Sequence, residues 1–378
     1  MSIPTDKITI IGAGPAGLGV AGRLSHKGIP YTILEGSPHI ANSWRNHYDR
    51  LHLHTVKQWS HLPHKPFPED YPLYVPKDKL VAYFESYADE FNIKPIFNFK
   101  IKNISKSNGV WKLEDENGNQ RTSEIVIIAT GVNREPNIPT FEGQESFSGS
   151  IEHSVSYKNT TPYQGKKVLV IGMGNTGAEI ALDLAEANIE TYLSVRGPVN
   201  IVPRDLNGRP VQVTAKQLAK IPFGIGTALG TFIRSLYIGN LSKYGVESPK
   251  MSPTKQLLVT GKTPVVDIGT VQAIKDGKII VHPAIKQINK QIITFTNGKE
   301  QEITDIILAT GYKPKIEQLL ENGTQVLDKY DCPAPPIGTG FHENIYFLGF
   351  DNYKLGGILG IIMEESASIA NHIEEKLS

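Results

Sequence analysis

A chain of 378 residues with 39 basic against 38 acidic side chains, formal net charge +1, is long enough for two domains and carries no excess charge of the kind that binds nucleic acid. Cys332 is the only cysteine, which excludes an intramolecular disulfide and a dithiol redox centre and argues against a thiolate-rich metal or iron–sulfur site. No apolar run approaches the roughly 18 to 20 residues that span a bilayer, and Met1 to Lys7 runs into a strand without a charged-then-apolar leader, so the expectation is a cytoplasmic protein with a small-molecule partner and no membrane.

In chain order, a strand (Lys7 to Ile11) leads into Gly12-x-Gly14-x-x-Gly17, with Pro15 and Ala16 inside the turn. A helix follows to about Lys27 with Gly28 as its C-cap, then a strand from Pro30 to Leu34 that ends at Glu35. The segment Asn42 to Pro76 begins with Trp44 and Arg45 and is stiffened by Pro63, Pro66, Pro68, Pro72 and Pro76, as expected of a cover over a bound group. It also holds five of the 11 histidines. His52 and His54 share one face of a strand-like run, but no carboxylate stands in a ligand pattern with them, so no metal is expected. Next comes WKLEDENGNQRTSEIVIIATG, a hairpin signal at Asn117-Gly118 followed by a strand ending at Thr130-Gly131.

After a connection from Asn133 to Tyr157 the program repeats. A strand (Lys167 to Ile171) enters Gly172-x-Gly174-x-x-Gly177, with Asn175 and Thr176 in the turn. The helix runs to about Ala187, and a strand from Glu190 to Val195 ends at Arg196. IITFTNGKEQEITDIILATG then repeats the hairpin and ends at Thr310-Gly311. The glycine loops match at an offset of 160 positions (Gly12 to Gly172) and the Ala-Thr-Gly turns at 180 (Gly131 to Gly311), so the second copy carries extra residues. That excess falls in about Asp205 to Lys262, where PFGIGTALGTFIRSLYIG reads as a lid or channel wall, with core packing as the alternative. Asn344 to Phe350 reads as a further strand and Leu355 to Lys376 as a helix opened by Gly356-Gly357, so the first domain is completed by the C-terminus.

The fold class expected is α/β, with two Rossmann-like doubly wound dinucleotide-binding domains: residues 1–157 with 314–378, and an inserted domain over 158–313. A lone GxGxxG is weak evidence, because glycines crowd many tight turns. Here each copy follows a strand, opens a helix, and meets a charged residue at a strand end 18 or 19 positions after its last glycine (Gly17 to Glu35, Gly177 to Arg196). The two charges differ in sign. Glu35 accepts hydrogen bonds from ribose hydroxyls and repels a 2′-phosphate, which suits FAD or NAD; Arg196 offers donors to a 2′-phosphate, which suits NADP, with a surface ion pair as the alternative. FAD and NADPH in one chain are most simply a flavoenzyme that takes hydride from nicotinamide.

FSGSIEHSVSY (Phe147 to Tyr157) matches the FxGxxxHxxxY signature, with Phe147, Gly149, His153 and Tyr157 in the fixed positions, and with it the chain resembles the flavin-containing monooxygenases. DRLHLH, PFPEDYP and GKTPVVDIG are similar to the YUCCA branch of plant indole-3-pyruvate monooxygenases and its bacterial relatives. The resemblance implies that NADPH reduces FAD and that O2 then forms a C4a-(hydro)peroxyflavin, which oxygenates an N or S centre of a small organic molecule. For the YUCCA branch it implies attack on an aryl α-keto acid with loss of carbon dioxide; an NADPH:acceptor flavin reductase is the further alternative. It places Trp44 and Arg45 along FAD, and puts His54 where animal enzymes carry an active-site Asn, which makes His54 the candidate catalytic residue. His153 and Tyr157, in a connecting segment, read as structural or nucleotide-seating. Oligomeric state is open between monomer and homodimer.

Overall fold

The computed structural model describes residues 3–378 apart from 219, 220, 222–224, 352 and 355. Contacts divide the chain into one unit of residues 1–47, 51–135 and 312–378 and another of 48–50 and 136–311.

The first unit is built on a six-stranded sheet in the order Thr32–Leu34, Thr5–Ile11, Gln120–Ile128, Val110–Asp115, Ile101–Ser107, with Ile345–Phe347 also on the Gln120–Ile128 strand. That strand forks. Its first half pairs antiparallel with Val110–Asp115 (Trp111 opposite Ser123), and its second half pairs in parallel with Ile345–Phe347 (Ile345 opposite Val126). The C-terminal residues thus close the parallel layer. Near-continuous apolar runs such as Ile8 to Ile11 and Ile125 to Ile128 are buried on both faces, as a parallel strand between two layers requires. One face packs on the helices Pro15–His26, Lys77–Glu90 and Ile358–Leu377, through Leu18, Leu24, Phe84, Ile362 and Ile369. The other buries Ile104, Trp111, Val126 and Phe347 with Ile316 and Leu320.

The second unit has a five-stranded parallel sheet ordered Ile279–His282, Glu190–Ser194, Lys167–Ile171, Asp305–Leu308, Ser150–His153. A three-stranded antiparallel sheet (Ile285–Asn289, Ile292–Phe295, Glu300–Glu302) packs on one face through Ile293 and Phe295. The helices Asn175–Glu186 and Thr270–Lys275 bury Ala178, Leu182 and Val271.

By contacts, residues 136–157 go with the second unit, whereas the sequence reading put them with the first. The reason is the strand Ser150–His153, which hydrogen-bonds in register with Asp305–Leu308; at four residues it is too short to show a period. Gly149 fixes the approach, because a Cβ there would lie 1.9 Å from the Thr304 carbonyl oxygen. Among the described residues the extra part of the second unit forms a two-stranded ribbon (Asp205–Leu206 with Arg209–Pro210), the α-helices Val211–Leu218, Ile225–Ile238 and Pro253–Thr260, and the short 3-10 helix Ser242–Tyr244. Pro222 to Gly224 of the expected lid, and Leu355 at the expected start of the last helix, lie outside the described residues. The last helix begins at Ile358. Among the described residues no helix is long and apolar enough to cross a membrane.

Candidate functional site

The two glycine loops are near-copies in atomic detail. Gly12 and Gly172 sit at φ +107° and +104°, and a Cβ on either would lie 2.6 Å from the carbonyl oxygen of Ala129 or Ala309. Gly17 and Gly177 pass the first glycine so closely that a Cβ would lie 1.8 or 1.9 Å from its oxygen. Gly14 and Gly174 differ from these: nothing lies within 4 Å of the added atom, and their φ of −79° and −90° suits any residue. Packing therefore dictates the outer glycines, while the middle one is left for something that approaches the backbone from outside. Each loop opens a helix with no side-chain N-cap and no acid in its first turn, Pro15–His26 and Asn175–Glu186. The unsatisfied first-turn N–H groups and the positive helix end would favour an anion at either place. Pro15 and Ala16 occupy the first turn of one helix, Asn175 and Thr176 that of the other.

The strand-end charges behave differently. Glu35 receives Ala13 N–H at 2.7 Å and Ser37 N–H at 2.8 Å, so it braces the first loop as well as lying beside it. Lone pairs remain on the carboxylate for further donors. Arg196 is exposed and forms no ion pair among the described residues, so the surface-pair alternative has no partner there.

The carboxyl-edge turns also diverge. Thr310 Oγ1 donates to the Asn137 carbonyl at 2.5 Å, and Gly311 oxygen receives Asn137 N–H at 2.9 Å and His153 Nε2–H at 3.0 Å. Thr130 Oγ1, in the first unit, is buried with no hydrogen-bond partner among the described residues. Gly131 matches Gly311 at φ +81°. An orphaned hydroxyl beside the first loop is the group a bound dinucleotide would satisfy.

Ala41 N–H donates to Ala13 oxygen at 3.0 Å, which ties the short helix Asn42–Arg45 to the first loop. Trp44 is half-buried against the core with Phe84 edge-on at 6.3 Å. Arg45 pairs with Glu85 and donates from Nε to Ile40 oxygen at 3.0 Å, so its charge is already used within the protein. His54 follows Leu53, whose N–H donates to Val75 oxygen at 2.9 Å, in a run bridged to Pro76 at His52. The neighbouring Thr55 packs against the start of the last helix, where a Cβ on Gly357 would lie 2.6 Å from Thr55 Cγ2. Among the described residues no group of three or more His, Cys, Asp or Glu is placed to hold a metal ion.

The signature residues are architectural. His153, 5% exposed, uses both ring nitrogens on backbone, Nε2–H to Gly311 oxygen and Nδ1 from Val155 N–H at 3.2 Å. Burial lowers its pKa, with the Gly311 bond opposing. Tyr157, 1% exposed, donates to Asp183 Oδ2 at 2.6 Å, and burial followed by that carboxylate drives its pKa far up. Burial, then Asp328 and Asp331, pushes the Cys332 thiol up to about 11, away from nucleophilic use.

Sequence reasoning missed Asn137 and Glu365, and missed the backbone bond made by Asn175, which it had named in the second loop. Asn137 has no motif. Asn175 Oδ1 receives Val266 N–H at 2.7 Å, which seats the Gly261 to Gly269 segment against the second loop. Glu365, in the last helix, receives Gly349 N–H at 3.3 Å just after the closing strand, and burial raises its pKa.

The family described as "Flavin-binding monooxygenase-like" matches residues 5–329. The chain is 38% identical over 354 residues to "Probable indole-3-pyruvate monooxygenase YUCCA4" of Arabidopsis thaliana, covering 92% of this chain and 86% of that one. It is 36% identical over 354 residues to "Indole-3-pyruvate monooxygenase YUCCA1" of Oryza sativa subsp. japonica, covering 92% and 87%. Among solved structures it is similar to "Flavin-containing monooxygenase from Stenotrophomonas maltophilia", with TM-score 0.76 and 19% identity over the whole of both chains.

Proposed function

Since the chain belongs to the flavin-binding monooxygenase-like family and is a flavin-dependent monooxygenase, we propose that it draws hydride from NADPH and transfers one oxygen atom of O2 to an N or S centre of a small organic molecule. The observation that carries the nucleotide assignment is the pair of loops with opposite strand-end charge, a braced Glu35 at one and, at the other, an exposed Arg196 with no ion pair among the described residues.

In this reading Gly12, Gly14, Pro15, Ala16 and Gly17 hold the FAD pyrophosphate, Glu35 takes a ribose hydroxyl, and Thr130 and Gly131 close the carboxyl edge. Trp44 packs alongside, and Arg45, committed to Glu85, positions the turn. Gly172, Gly174, Asn175, Thr176 and Gly177 hold the NADPH pyrophosphate, Arg196 receives the 2′-phosphate, and Thr310 and Gly311 form the matching edge. Bound flavin supplies two-electron acceptance and O2 activation. The protein's own work is positioning, exclusion of water and one donor near the oxygen-transfer centre, the role we give His54. The enzyme works in the cytosol.

A second reading has a specific observation behind it: the two plant relatives carry the name indole-3-pyruvate monooxygenase or probable indole-3-pyruvate monooxygenase. Under it the acceptor is the carbonyl of an aryl α-keto acid. Incubation with NADPH, O2 and a thioether, a tertiary amine or indole-3-pyruvate, followed by mass spectrometry, separates the two. One added oxygen with every carbon retained supports the first, and loss of carbon dioxide the second. NADPH consumption with no oxygenated product from any of them refutes both and leaves an acceptor reductase.

A further inference from the structure

The extra segment of the second unit, with Val199 and Ile201 just before it, lines a half-open cavity that neither glycine loop accounts for. Its volume is about 430 Å³, enough for a small organic molecule. One part of the wall is aliphatic, with Val199, Ile201, Ile238, Leu241 and Val246, the rest is mostly small and polar, and among the described lining residues the one cation is Arg234 on the helix Ile225–Ile238.

Arg234 is held in place without being neutralised. Its Nη1 donates to Asn200 Oδ1 at 2.9 Å. Asn200, 2% exposed, is itself fixed because Nδ2 donates to Met251 oxygen at 3.0 Å and Gln256 Oε1 at 2.9 Å. Arg234 Nε is buried with no hydrogen-bond partner, and the guanidinium makes no ion pair, among the described residues. Burial lowers its pKa with nothing opposing, although an arginine stays charged at any physiological pH. A half-buried cation with only a neutral partner is costly, and a carboxylate is the group whose planar geometry matches the guanidinium fork. Glu247, exposed, also lines the cavity and disfavours a dianion such as phosphate.

We propose that this cavity binds a small organic monocarboxylate with an apolar body, its carboxylate on Arg234 and its body against the aliphatic wall. The site goes beyond the monooxygenase reading and is tested by binding alone, so failure of one leaves the other standing.

The test is calorimetric titration of the full-length, flavin-loaded protein with benzoate, benzamide and inorganic phosphate. Benzoate binds with one site per chain, while benzamide and phosphate bind at least about tenfold more weakly. Saturating NADP leaves benzoate affinity unchanged. Arg234→Met lowers it at least about tenfold with flavin content intact, and Glu247→Gln raises it about two- to fivefold by removing the rim charge. Equal binding of acid and amide overturns the proposal, as does displacement of benzoate by NADP, which would give Arg234 to the nucleotide. Where Arg234→Met does not fold, Glu247→Gln decides: tighter benzoate binding supports the site, and unchanged or weaker binding overturns it.

Discussion

Tyr157 and Asp183 join the connecting segment to the helix behind the second glycine loop, the phenol donating to one carboxylate oxygen at 2.6 Å while Arg50 Nη1 donates to the other at 3.0 Å. The arrangement makes the signature tyrosine a brace. Tyr157→Phe keeps the ring stacked on Tyr163 and leaves Asp183 with its arginine. The expected cost is about 1 to 2 kcal/mol of stability by urea titration, with kcat unchanged within about twofold and no change in its pH profile. A kcat loss of two decades in a folded variant would return the residue to the chemistry.

The middle glycines separate folding from binding. Because nothing lies within 4 Å of a Cβ on Gly14 or Gly174, Ala at either is tolerated by the fold. Gly14→Ala is expected to purify with flavin content lowered at least about threefold, and Gly174→Ala to keep its flavin while KM for NADPH rises about tenfold or more. Gly17→Ala, which puts a Cβ 1.8 Å from the Gly12 oxygen, is expected to lose soluble protein altogether. Full flavin in Gly14→Ala would remove that loop from the flavin site.

How much of this was visible in the chain depends on the range of the interaction that fixes each part. Both loops and both Asn-Gly hairpins are local programs, where glycine at φ +82° (Gly118) and +78° (Gly298) turns the chain without strain. The strand Ser150–His153 and the Asn137 latch depend on partners at 305–308 and 310–311, far along the chain, and carry no periodic signal of their own. Glu35 was legible as a charge at a strand end, but not its bonds to Ala13 and Ser37, which local charge counting does not predict. The resemblance placed Arg45 along FAD, but not its pairing with Glu85, a partner 40 positions on.

Acid sensitivity has a named source. His282 is 7% exposed, stacks on Phe295 at 4.1 Å, and has no hydrogen-bond partner on either ring nitrogen among the described residues. Burial, with Lys299 adding to it, lowers its pKa below the ordinary 6.5. The folded protein therefore holds this ring neutral while the unfolded chain takes up a proton, so stability is full above about pH 6.5 and falls as the pH drops through that value. His282→Leu is expected to reduce the difference in urea midpoint between pH 7.5 and pH 5; an unchanged difference would assign the acid limb to other groups, of which buried His153 is one.

Arg196 offers the sharpest discrimination, because it is charged, exposed and without an ion-pair partner among the described residues, at the strand end that follows the second loop. Its removal costs the fold nothing that the structure displays. What it removes is a set of charge-assisted hydrogen bonds to a 2′-phosphate, worth roughly 1.5 to 3 kcal/mol, or about 10- to 100-fold in affinity. Arg196→Ala is therefore expected to raise KM for NADPH by that factor while KM for NADH stays within about twofold. Lys at the position restores part of the preference, since it keeps the charge and loses the fork. The measurement is the ratio of kcat/KM for the two nucleotides in wild type, Ala and Lys; an unchanged ratio would mean that the 2′-phosphate is read elsewhere, and the opposite charges at the two strand ends would then carry no meaning for nucleotide choice.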